Sequence, residues 1–106
     1  MPDSFILVLT TLPSPQKSRR LAELVLKKKL AACINILGPV QSFFWWKKKI
    51  DRAREYLLLI KTRRSLFSKL ESLIRKNHPY SIPEIVSLPI DRGTKPYLDW
   101  LSASLR

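Results

Sequence analysis

Hydrophobic positions along this chain alternate between strand-like runs and helical stripes. Phe5-Ile6-Leu7-Val8-Leu9-Thr10-Thr11 is a nearly continuous apolar run closed by Pro13. Its length and β-leaning ends predict a strand buried on both faces. Ser14 then precedes Pro15, a hydroxyl cap followed by a proline in the first helical turn, where a missing N–H does no harm. Leu21, Ala22, Leu24, Val25 and Leu26 recur at helical spacing through Lys29. Residues 31–37 alternate as a strand does, Gly38-Pro39 interrupts them, and residues 40–46 resume. Proline cannot donate to a ladder, so the interruption predicts a bulge or kink. A polar stretch, residues 47–54, and an apolar run, residues 55–62, complete a long hairpin.

Thr62-Arg63-Arg64-Ser65 is expected to start a second helix. Leu66, Phe67, Leu70, Leu73 and Ile74 form the clearest amphipathic stripe in the chain, and Asn77-His78-Pro79 ends it. Residues 82–90 read as a short strand with prolines at its margins, hence at an edge. Asp91-Arg92-Gly93 turns the chain, and Thr94 is placed to cap a last helix carrying Leu98, Leu101 and Leu105. The order βαββαβ plus a C-terminal helix predicts an α+β, ferredoxin-like sandwich in one domain spanning residues 1–106. Both crossing helices would cover one sheet face and leave the other bare. A bare apolar face with open edges is a liability for a monomer, and another copy of the chain is the simplest cover.

Composition fits a packed domain: 106 residues, 45% hydrophobic and only two glycines. So short a chain buries only about two-thirds of its unfolded surface, which again favours association. Cys33 is the single cysteine, so no disulfide forms within the chain. Met1-Pro2-Asp3-Ser4 lacks the basic start of a signal peptide, and no apolar stretch approaches the roughly 20 residues of a membrane helix. A cytoplasmic location with no membrane span is expected. The formal net charge of +12 raises the prospect of nucleic acid or another anionic partner.

Several segments, in order, resemble the CutA divalent-cation tolerance family. They are Leu30-Ala31-Ala32-Cys33-Ile34-Asn35-Ile36; Ser42-Phe43-Phe44-Trp45-Trp46 with Lys49-Ile50; Glu55-Tyr56-Leu57-Leu58-Leu59-Ile60-Lys61-Thr62; His78-Pro79-Tyr80-Ser81-Ile82-Pro83-Glu84-Ile85; and Tyr97-Leu98-Asp99-Trp100-Leu101. The resemblance runs from about Phe5 to the C-terminus. It implies a tight homotrimer in which the long hairpins continue each subunit's sheet into the next. It also implies a link to copper and other divalent cations and an architecture like that of trimeric PII signalling proteins, with no reaction attached. Lys48 departs from the pattern, standing where the family hairpin has glycine.

The same resemblance directs the search for chemistry. Family copper sites use a cysteine in the first strand and two histidines before the Pro-Tyr. Thr10 and Asn77 occupy two of those positions here, leaving His78 as the metal candidate. Copper wants several converging imidazole and thiolate ligands, so any Cu2+ binding is expected to be weak. The structural alternative is that His78 caps the second helix, where its charge suits the dipole. Cys33, mid-strand between apolar neighbours, reads as structural. Trp46, Glu55, Lys61, Thr62, Tyr80 and Glu84 are candidates for an intersubunit ligand cleft, or alternatively plain subunit contacts. A divalent metal or a small anionic ligand is the expected occupant. No nucleophile–base arrangement and no phosphate-binding glycine loop is evident, so an enzyme is not expected. The expected function is therefore that of a homotrimeric, CutA-like protein of divalent-cation, chiefly copper, tolerance or response. The alternative is a basic trimeric scaffold binding nucleic acid or anionic partners non-specifically through charge.

Overall fold

A computed structural model describes residues 4–106. Most of the segment on which the signal-peptide reading rests, residues 1–3, lies outside the described residues. The elements run β1 (Phe5–Leu12), α1 (Pro15–Lys27), β2 (Cys33–Trp46), β3 (Lys49–Arg63), a 3₁₀ turn (Arg64–Leu66), α2 (Phe67–Lys76), β4 (Val86–Pro89) and α3 (Lys95–Ser104). The sheet is antiparallel with strand order β2-β3-β1-β4. This is the expected α+β, ferredoxin-like order with its extra helix.

The core follows from strand alternation. Ile6, Val8, Thr10 and Leu12 are buried, and the register places them on one face with Leu58, Ile60 and Thr62. Leu21 and Val25 of α1 and Leu70 and Ile74 of α2 close over that face. Each such aliphatic side chain contributes about 1.5–3 kcal/mol on full burial. The expectation that β1 is buried on both faces needs correcting. Phe5, Leu7 and Leu9 are only half-buried, because the two helices lie on the other side.

Local signals set the helix ends. The Ser14 hydroxyl accepts from the Lys17 amide at 3.1 Å, as the sequence predicts. α1 closes with paired reverse bonds, Lys29 N–H to the Leu26 carbonyl at 3.0 Å and Leu30 N–H to the Val25 carbonyl at 3.1 Å. That motif needs a left-handed residue, normally glycine; Lys29 supplies it at φ 58°. α2 begins later than expected, because β3 continues to Arg63 and a 3₁₀ turn intervenes. Asn77 caps its end. β4 is shorter than residues 82–90, with a loop leading into it. Thr94 is the N-cap of α3, but its side chain makes no capping bond there.

β2 and β3 outrun the rest of the sheet. β1 stops at the Leu12–Tyr56 pair, so among the described residues Lys49 to Glu55 pair with no strand but β2. The resulting two-stranded arm stretches the molecule to 44 × 25 × 23 Å. The predicted irregularity at Gly38-Pro39 is present as a register shift between Leu37 and Val40, with a cis peptide at the proline. Any side chain at Gly38 would overlap the Tyr56 ring. The arm turns through Lys47 and Lys48, at φ 50° and 64°.

The second sheet face is not wholly bare, as the sequence reading had it. α3 reaches the far end of β3, where Arg63 contacts Ser102 and Lys61 Nζ lies 5.6 Å from the centre of the Tyr97 ring. Leu101 is fully buried. Further along that face Leu37, Val86 and Leu88 remain exposed.

Candidate functional site

The root of the arm and the loop after α2 enclose a cleft of about 810 Å³. Pairing fixes which arm residues face it. Ser42 pairs with Ala53, Phe44 with Asp51, and Trp46 with Lys49, and partners in an antiparallel ladder share a face. Phe44, Trp46, Asp51 and Glu55 line the cleft from the arm, Tyr80 and Glu84 from the loop.

Glu55 is the chemical centre. It is only 6% exposed, a burial that a carboxylate tolerates when hydrogen-bonded. The Tyr80 hydroxyl donates to Glu55 Oε2 at 2.8 Å. Burial first, then the hydrogen bond to Glu55 and its negative charge, push the Tyr80 phenol up to about 12. Tyr80 is held in turn by His78. The Tyr80 amide donates to His78 Nδ1 at 3.1 Å, so the neutral ring carries its proton on Nε2 and donates to the Thr11 carbonyl at 2.7 Å. Burial lowers the His78 pKa, and the Thr11 carbonyl and Glu55 oppose that only in part. His78 therefore ties the end of β1 to the loop. It does not cap α2, because its ring is committed to Thr11 and Tyr80.

Of the residues singled out from the sequence, Trp46, Glu55, Tyr80 and Glu84 come together in the cleft. Lys61 and Thr62 do not. Six residues along an extended strand separate Lys61 from Glu55 by about 20 Å. Thr62 is buried in the core and donates to the Leu30 carbonyl at 2.7 Å, while Lys61 stands beside Cys33 and Tyr97. Phe44 and Asp51 went unremarked as cleft residues. Alternation from Ser42 to Trp46 was the signal for Phe44, whereas Asp51 lay in a polar stretch without period.

The family model described as CutA1 divalent ion tolerance protein matches residues 6–104. The chain belongs to the CutA1 family. It is 43% identical to the rice protein named Protein CutA 1, chloroplastic, over 95% of this chain and 57% of that protein. It is 41% identical to the divalent-cation tolerance protein CutA of Archaeoglobus fulgidus over 92% of this chain and 95% of that one. It thus spans little more than half of the rice relative and nearly all of the archaeal one. Among solved structures, CutA1 from Oryza sativa superposes with a TM-score of 0.94 at 42% identity, over 97% of this chain and 94% of that one. CutA from Archaeoglobus fulgidus, described as periplasmic, superposes at 0.93 and 39% identity, over 96% of this chain and 99% of that one.

Copper does not fit the residues this CutA1 chain offers. Both His78 nitrogens are engaged, leaving no free lone pair. Thr10 lies in the core facing the helices, its hydroxyl without a partner among the described residues. Among the described residues no three of His, Cys, Asp and Glu converge. The oxygen donors at the cleft, Glu55, Asp51 and Glu84, suit hard cations better than copper.

Proposed function

We propose that this CutA1 chain acts as a homotrimer in divalent-cation tolerance or response. In this reading it binds its ligand weakly at clefts between subunits and catalyses no reaction of its own. The observation that carries the reading is the arm, a two-stranded ribbon whose cleft face leaves Phe44 and Trp46 exposed. Such a ribbon is marginally stable alone, and so much apolar surface calls for a cover. Leu37, Val86 and Leu88 on the open sheet face call for the same cover. A second copy of the chain supplies both, and assembly in threes is what the CutA1 likeness implies. The cleft then lies at a subunit junction, where ligand sites favour a few polar groups among aromatics.

Three carboxylates against Arg52 make the cleft acidic, so a hydrated divalent cation suits it better than a small anion. With few converging donors the affinity is low. The role is then sensing or buffering, in the manner of PII-like trimers. Cys33 is a free thiol that requires no oxidising compartment, and the reading places the protein in the cytoplasm.

Two experiments test this. The variant Phe44→Ser/Trp46→Ser should run as a smaller species than the parent in size-exclusion chromatography; an unchanged elution volume removes the arm from the interface. Calorimetric titration with Cu(II) should show only weak binding by the parent and by His78→Ala. Sub-micromolar binding lost in that variant would restore copper and His78 to the centre.

A further inference from the structure

The arm has a second face, of which the cleft takes in only Phe43 and Arg52. Gln41 pairs with Arg54, Phe43 with Arg52 and Trp45 with Ile50, so these six side chains project together, opposite Phe44, Trp46 and Glu55. Phe43 is 62% exposed, Trp45 72% and Ile50 66%. Lys47 and Lys48 close the turn beyond them. Phe43, Arg52 and Arg54 border a shallow groove of about 460 Å³ whose lining holds no carboxylate. No ion pair occupies Lys47, Lys48, Arg52 or Arg54 among the described residues. The Asp51 carboxylate accepts from the Arg52 backbone amide, and the register directs its side chain to the cleft face.

We infer that this outer face of the arm binds single-stranded nucleic acid. Phe43 and Trp45 stand two residues apart on one strand, about 7 Å, as successive flat platforms. Each platform has a cross-strand neighbour, Arg52 for Phe43 and Ile50 for Trp45. Cations interleaved with exposed rings are the arrangement that tracks a phosphate backbone while bases stack, and such stacking tolerates any base. Duplex hides its base faces, so the strand must be single. A lipid surface fits less well, because the apex of the arm is Lys47-Lys48 and the apolar groups are set back behind it. Phe43 and Arg52 border the cleft as well as this groove, but the cleft's carboxylates, Asp51, Glu55 and Glu84, do not line the groove.

Fluorescence anisotropy of labelled dT12 and rU12, titrated with the full chain, tests it. Both should bind, and the corresponding 12-base-pair duplex at least about tenfold more weakly. Trp45→Ala and Phe43→Ala should each weaken binding about tenfold. If about three phosphates are neutralised, raising salt from about 50 to 200 mM should weaken it by roughly another twentyfold. Arg52→Gln/Arg54→Gln, which leaves the aromatics in place, should flatten that salt dependence, whereas Lys69→Gln/Arg75→Gln on α2 should not. Light scattering on every variant separates a binding defect from loss of assembly. If an aromatic variant does not fold, the arginine pair decides. Equal binding of duplex and single strand, or binding that ignores both the aromatic and the arginine changes, would overturn the inference. So would capture by phosphatidylglycerol vesicles through Trp45 with no oligonucleotide binding.

Discussion

The arm turns through two residues that chemistry would not choose for it. Lys47 and Lys48 have φ of 50° and 64°, and the flanking Trp46–Lys49 pair makes this a two-residue hairpin loop. Positive φ at both central positions is the hairpin geometry that prefers Asn-Gly. A side chain held left-handed costs roughly 1–2 kcal/mol, and glycine escapes that cost while losing about 0.5–1 kcal/mol of additional backbone entropy on folding. Lys48→Gly should therefore stabilise the fold by about 0.5–1 kcal/mol. For a domain of this size that raises Tm by roughly 2–6 °C. Lys49→Gly, one residue on in extended β3, gains no relief and should lower stability by about 0.5–1 kcal/mol. The assay is thermal unfolding followed by circular dichroism at one fixed protein concentration, because association makes Tm concentration-dependent. Opposite signs at the adjacent positions support the strain argument. A fall in Tm for Lys48→Gly, or the same sign for both, refutes it.

Other outcomes follow from the same structure. Lys29→Gly, at the left-handed end of α1, should stabilise by up to about 1 kcal/mol in chemical denaturation. Thr10→Val replaces a buried hydroxyl that has no partner among the described residues, and should raise stability by about 1 kcal/mol in urea titrations. Tyr80→Phe deprives buried Glu55 of its donor and should cost about 1–3 kcal/mol, again by urea titration. His78 titrates lower folded than unfolded, so its neutral form contributes stability above the ordinary histidine value of 6.5. That contribution should fade as pH falls from there toward the folded pKa, and His78→Asn should flatten the slope in pH-dependent melts. Tyr80 has the opposite sign. Its contribution is complete below pH 10 and is lost as pH rises toward about 12, a trend absent in Tyr80→Phe.

Periodicity carried most of the fold. The Ser14-Pro15 cap, the Gly38-Pro39 irregularity and the α2 stripe each appear where local chemistry put them. What failed depended on distant partners. The burial of β1 could not be assigned to one face without knowing that both crossing helices share a side. The site was half legible: Glu55 and Tyr80 meet across 25 residues of sequence. Lys61 and Thr62, adjacent in motif to Glu55, are carried away by strand rise alone. His78 was expected at a helix end, but a ring with two nitrogens can span two backbone segments, and here it joins Thr11 to Tyr80. The split of the arm into an acidic cleft face and a basic aromatic face appeared only once the ladder register was known.

Sedimentation equilibrium of the unmodified chain, taken across a wide concentration range, bears most directly on the arm needing sister subunits. The account predicts a single species of three times 12.4 kDa that persists on dilution. A folded species of 12.4 kDa at high protein concentration would contradict it, and the cleft between subunits would go with it.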